Sequence, residues 1–195
     1  RCPCPQRHLH FLGAETDWTE AVTRNAISQI HNIAASGGFG NTTFRVSANI
    51  RENEGIVLNT GFEQFNSRAS ISTRALDDKL KIDFNASFTK RDSDLGEPLV
   101  LKYATLFNPT APIYTEGSSF FPGNSGDPIG GYFETFGLFD SYNPVSIADQ
   151  HQVTGGRTEL NYNLSLGYDF SDSFDIQLRA AKQSSQNSNR NYVPV

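Results

Sequence analysis

The residues with the strongest chemical character stand at the N-terminus, where Cys2, Cys4, His8 and His10 place two thiols and two imidazoles within nine residues. Thiolate sulfur and imidazole nitrogen are donors that zinc favours. The Cys-x-Cys and His-x-His spacings are tighter than those of structural zinc sites, however, and no second half follows. A Cys2–Cys4 disulfide would close too small a loop to constrain much. Residues 1–12 therefore read as a leader unmatched to the rest, and no metal is assigned. The acidic pairs Asp77-Asp78 and Asp92/Asp94 lie in turn-like sequence, where carboxylates cap backbone amides. A glycosidase needs two carboxylates converging across a sugar, and nothing in this pattern makes them converge. Gly123-Asn124-Ser125-Gly126-Asp127 lacks the Glu-terminated loop of a calcium hand and reads as a plain turn. No catalytic residue and no cofactor is assigned, and the chain is not read as an enzyme.

Aromatic side chains are the more informative group. Tyr103, Phe107, Tyr114, Phe120, Phe121, Tyr132, Phe133, Phe136, Phe139 and Tyr142 put ten of the 23 aromatics into one third of the chain. Rigid rings of this kind stack on sugar faces or pack against a partner protein, and these ten are the candidate ligand- or partner-binding residues. Packing of the segment against itself is the alternative use of the same rings.

The elements that would position them follow from a period of two. In Thr42–Arg51, Phe44, Val46, Ala48 and Ile50 alternate with Thr43, Arg45, Ser47, Asn49 and Arg51. Phe65–Ala75 repeats the pattern more weakly, and Leu80–Thr89 restores it, with Leu80, Ile82, Phe84, Ala86 and Phe88 opposite Lys81, Asp83, Asn85, Ser87 and Thr89. Thr158–Phe170 and Phe174–Ala180 alternate in the same way, and Ala26–Ser36 is a poorer strand. Runs of ten or eleven exceed the globular norm of about five or six. They match the ~9–11 residues that a tilted strand needs to cross a bilayer.

The expected connections alternate in length: short at Gly37–Asn41, long at Glu52–Phe62, short at Leu76–Lys79, very long at about 92–156, short at Ser171–Ser173. The very long interval holds six of the nine prolines and has no sustained periodicity. The tail from Gln183 reads as a loop. Trp18 reads as an anchor at a membrane or protein surface, preceded by Thr16 or Asp17 as a helix cap. About six strands in an antiparallel meander, with all short turns on one side and Phe44, Tyr168, Phe170 and Phe174 near them, form the pattern of an outer-membrane β-barrel. A soluble carbohydrate-binding β-sandwich is the alternative, since its strands also alternate.

Composition agrees with a sheet wet on one face: 37% of residues are hydrophobic and Met is absent. A net charge of −5 without a basic run argues against nucleic acid as partner. No apolar run approaches the ~18 residues of a transmembrane helix. No apolar signal region is visible in residues 1–12, so the chain is expected to begin after processing or to be a fragment.

Several short motifs, in this order and spacing, carry a resemblance. They are Thr16-Asp17-Trp18, His31-Asn32 followed by Ser36-Gly37-Gly38, and Glu54-Gly55-Ile56-Val57 with Asn59-Thr60-Gly61-Phe62. Asn108-Pro109-Thr110-Ala111-Pro112 and Tyr142-Asn143-Pro144-Val145 complete the set. From about Gly13 to beyond Lys182 the sequence resembles the early barrel of SusC/RagA-type TonB-dependent transporters. The resemblance implies a barrel of about 22 strands in the complete family member. It also implies a plug that contacts TonB, a SusD-like surface lipoprotein as lid, import of glycans or peptides, and a location in the cell outer membrane against lipid. The plug and the remaining strands have no counterpart here. Six strands cannot close, because the smallest such barrels have about eight, so residues 13–195 are expected to be a partial barrel segment.

Overall fold

The computed structural model describes residues 12–115, 129–134, 142–171 and 173–193. Six strands form one antiparallel sheet in chain order: β1 (Ser28–Phe39), β2 (Thr42–Glu54), β3 (Gly61–Ala75), β4 (Leu80–Asp94), β5 (Gln152–Ser171) and β6 (Phe174–Tyr192). This is the expected all-β meander, in a single layer. Among the described residues no second sheet packs on it, as one would in a β-sandwich.

The strands are longer than the sequence pattern suggests, reaching 20 residues in β5 and 19 in β6. The expected loop from Gln183 is strand: Gln183–Tyr192 pairs in continuous register with Gln152–Asn161. Its Ser, Asn and Gln side chains give no apolar alternation to read, yet the ladder needs only their backbone groups. The turn expected at Gly37–Asn41 shrinks to Gly40 and Asn41, with Gly40 at φ 56° and Phe39 facing Thr42. The 52–62 connection shrinks to residues 55–60. Leu76–Lys79 is a turn as expected, with Leu76, Asp77 and Asp78 all at positive φ and the Lys79 N–H donating to the Leu76 carbonyl.

Register makes the apolar positions into transverse rows. Phe44, Ile71, Phe84, Leu164 and Ala180 face one another across five strands, beside the row Val46, Ala69, Ala86 and Tyr162. Along β4 the apolar face runs from Leu80 to Phe88, roughly 21 Å at ~3.4 Å per residue and ~40° tilt, close to the ~25 Å apolar band of a membrane barrel. The same face then turns charged, through Lys90 to the row Glu52, Glu63 and Asp92. Among the described residues no other layer packs over these side chains, and Phe44 is 46% exposed and Val46 51%.

The buried core lies elsewhere. The connection expected to be structureless between 92 and 156 starts at Leu95, ends at His151, and carries helix α2 (Val100–Leu106), a 3₁₀ turn at 129–131 and helix α3 (Pro144–Gln150). With the short helix α1 (Trp18–Ala21) these elements form a cap at the strand ends around residues 54–61, 94 and 152. Every fully buried apolar side chain among the described residues belongs to this cap.

Candidate functional site

The cap is knitted by side chains that bond backbone over long sequence separations. Asp17 caps α1, its carboxylate accepting the Glu20 N–H at 2.9 Å. The indole N–H of Trp18 donates to the Asn108 carbonyl at 2.9 Å, and its ring meets Phe107 edge-on, centroids 4.7 Å apart. Trp18 is 3% exposed, so it is a core residue and not a surface anchor. The segment before it is held by the Asn108-Pro109-Thr110-Ala111 turn: Ala14 and Thr16 N–H groups donate to the Thr110 and Pro109 carbonyls. Arg24 locks the β2–β3 connection, donating from Nε to the Gly55 carbonyl and from Nη2 to the Thr60 carbonyl. Asn59 then reaches α3, its Nδ2 donating to the Ala148 carbonyl at 3.1 Å. At Gly55 a Cβ would lie 2.0 Å from the Thr60 hydroxyl oxygen, so glycine is required for this closure.

Asn143 is the hub of the second half. It is fully buried, and its Oδ1 accepts the N–H groups of Val145 and Ser146 at the start of α3, where Pro144 occupies the first turn. Its Nδ2 donates to the carbonyls of Ile113 and Phe133 at 2.9 and 3.0 Å. Burial pushes the Glu134 carboxyl above its ordinary range, opposed by the hydrogen bond it accepts from the Asn143 N–H. Burial and the bond from its hydroxyl to Asp149, 2.7 Å, hold the Tyr132 phenol above its usual range. Among the described residues no three His, Cys, Asp or Glu side chains group as metal ligands.

The ten candidate aromatics divide. Tyr103, Phe107, Tyr132 and Phe133 are buried in the cap core, where they pack the connection against itself. Tyr114 and Tyr142 are exposed, at 59% and 56%, each with its ring against a buried partner, Tyr132 (tilted) and Tyr103 (edge-to-face). Phe120, Phe121, Phe136 and Phe139 lie outside the described residues, as do Cys2, Cys4, His8 and His10.

The polar face of the sheet holds an arrangement that no linear motif announces. Asn49 Nδ2 donates to Asn32 Oδ1 at 2.6 Å, Asn66 Nδ2 to Asn49 Oδ1 at 3.0 Å, and the Thr89 hydroxyl to Asn66 Oδ1 at 3.0 Å. This ladder crosses four strands. One row towards the cap, Arg51, Gln64, Arg91 and Arg157 share a register line. The Arg91 guanidinium lies 3.9 Å from the centroid of the Phe62 ring and that of Arg51 lies 5.6 Å away, so both guanidiniums gather on one aromatic ring. The alternation Arg45, Ser47, Asn49, Arg51 signals a wet face, but the meeting of Arg51 with Arg91 depends on cross-strand register.

Comparison with known proteins places this geometry. The chain is 24% identical over 186 residues to the TonB-dependent receptor SusC of Bacteroides thetaiotaomicron, matching 86% of this chain and 18% of that receptor. It is 32% identical over 108 residues to the TonB-dependent receptor P26 of Formosa agariphila, matching 53% of this chain and 10% of that one. The chain thus spans less than a fifth of the curated relatives it matches. A solved structure of the RagAB peptide importer in a closed-closed state shares the fold, with TM-score 0.61 over 90% of this chain and 20% of that one, at 16% identity. No family model matches.

Proposed function

Because this chain is a segment of the SusC/RagA-type TonB-dependent transporters, we propose that it forms part of the wall of an outer-membrane barrel that imports glycans or peptides. One observation carries this reading. A sheet only one layer thick exposes uncovered apolar rows on one face and a hydrogen-bonded polar ladder on the other, the division required between lipid and a water-filled lumen. Both edge strands, β1 and β6, have one unpaired side in this chain, which further strands of a barrel would complete. Residues 13–195 are on this reading one barrel segment, and TonB acts through a plug supplied by other parts of the protein.

The cap sits where the long connections gather, the side on which outer-membrane barrels carry their external loops. A SusD-like surface lipoprotein would meet it there, and the exposed rings of Tyr114 and Tyr142 are suited to that contact. The test is fractionation of the full-length protein. Recovery in the outer membrane, extraction only by detergent, and co-purification with a lipoprotein that is weakened by Tyr114→Ala with Tyr142→Ala support the reading. Recovery as a monodisperse protein in buffer overturns it.

A further inference from the structure

The two faces of the sheet differ in charge as well as in polarity. The polar face presents eight basic side chains, Arg45, Arg51, Arg68, Arg74, Lys81, Arg91, Arg157 and Arg179, against four acidic ones, Asp83, Glu159, Asp169 and Asp175, a balance of +4 in a chain of −5. On the apolar side, beyond the band, five carboxylates (Glu52, Glu54, Glu63, Asp92, Asp94) outnumber Lys90 and Arg190, while Lys182 stands within the band opposite Tyr162. Register concentrates the positive charge further. Arg91 lies directly opposite Arg157, and Arg51 stands two strands away on the same line. Like charges set opposite one another in a sheet are unfavourable, so some group must offset them.

Glu159 does this for Arg157, accepting from its Nε at 2.9 Å. Arg51 and Arg91 have no such partner: among the described residues neither forms an ion pair. Arg91 uses only Nε, donating to the Ser93 hydroxyl at 3.2 Å, and both guanidiniums collect at the Phe62 ring. A guanidinium stacked on a ring keeps its in-plane N–H donors free for a second planar group, and the group that its fork fits is a carboxylate, bidentate. The neighbouring Asn32–Asn49–Asn66 ladder supplies amides for adjacent hydroxyls or peptide groups.

We infer that Arg51, Phe62 and Arg91 form a lumenal clamp for a carboxylate of the transported solute, so that the import substrate is acidic. This rests on the transporter reading above, which makes the polar face a lumen. The carboxylate can come from a uronic-acid sugar or from an acidic peptide, and the clamp recognises the group common to both.

The experiment uses the full-length protein in detergent and titration calorimetry with tetragalacturonate and tetraglutamate, beside maltotetraose and tetraalanine as neutral counterparts. One of the two acids should bind, and its identity assigns the source. R51Q with R91Q should weaken it at least about tenfold, the loss of charge-assisted hydrogen bonds. F62L keeps both charges and should weaken it by about threefold. R74Q removes the same charge from the same face near the short turns and should leave the affinity unchanged. Binding of neither acid overturns the inference, as does wild-type affinity in R51Q with R91Q, or equal weakening by R74Q. A protein that fractionates with the outer membrane and imports a neutral solute while ignoring both acids ends this inference and leaves the transporter reading intact; a soluble protein ends both.

Discussion

The indole N–H of Trp18 donates to the carbonyl of Asn108 across 90 residues of chain, and this bond joins the segment before β1 to the connection between β4 and β5. It holds together two regions that the sheet itself does not pair. The cap is therefore a small folded unit riding on the strand ends, with its own core of Trp18, Val22, Val100, Phe107 and Val145, while the strands below present their apolar side chains outward.

Removing that joint should loosen the cap before the barrel. Trp18→Ala deletes a buried ring and should cost about 3–5 kcal/mol of cap stability, whereas Trp18→Phe, losing the donor and part of the ring, should cost less, about 1–3 kcal/mol. Hydrogen exchange at α2 and α3 in the full-length protein would report it. Unchanged protection at α2 in Trp18→Ala would show that the Asn108 turn is held without Trp18.

Glu134 gives the cap a pH dependence whose sign is fixed by its surroundings. Its carboxyl is raised above the ordinary 4.5 chiefly by burial, so the folded cap favours the protonated acid. That contribution is complete below pH 4.5 and is lost as pH rises through the raised value. Glu134→Gln retains an acceptor for the Asn143 N–H and should flatten this loss. Exchange rates at α3, followed from acid to neutral pH, should fall less steeply in protection for the variant than for the parent. Parallel profiles would show that Glu134 does not set the dependence.

How far the sequence revealed this architecture depends on what each residue's neighbours had to be. Leu80–Phe88 announced its strand because apolar and polar side chains alternate along it, and that contrast survives in the register rows. Gln183–Tyr192 lacks the contrast and was legible only as polar chain, since its pairing with β5 comes from the backbone. Helices α2 and α3, seven residues each, are too short to display a helical period and are held by tertiary contacts and, for α3, by the Asn143 cap. The Tyr142-Asn143-Pro144-Val145 and Asn108-Pro109-Thr110-Ala111 motifs were visible from the start, and the structure gives their reason: they cap α3 and close the turn under Trp18. The clamp of Arg51 and Arg91 was hidden because the residues are 40 apart in sequence and meet only through β3.

The apolar rows make a prediction about solvent. Phe84 sits between Ile71 and Leu164 on the uncovered face, and Phe84→Arg in the full-length protein should cost about 2–4 kcal/mol of stability in a bilayer. Asn85→Ser, one residue along and on the polar face, should stay within about 0.5 kcal/mol of the parent. Urea unfolding from lipid vesicles measures both. Equal tolerance at the two positions would mean that the apolar face does not meet lipid.

Orientation follows from the asymmetry of the connections. The hairpin turns at Gly40-Asn41 and Leu76–Lys79 are closed within two and four residues by the pairs Phe39/Thr42 and Ala75/Leu80, while the cap occupies the opposite end. Outer-membrane barrels keep short turns in the periplasm and long connections outside. Lys79 and Thr105 are both exposed, one in a short turn and one on the cap helix α2. A cysteine at Thr105 of the full-length protein should react on intact cells with a membrane-impermeant thiol reagent, and one at Lys79 only after the outer membrane is opened. Labelling in the reverse order would show the segment inverted, and equal labelling of both on intact cells would show that the strands between them do not cross the membrane.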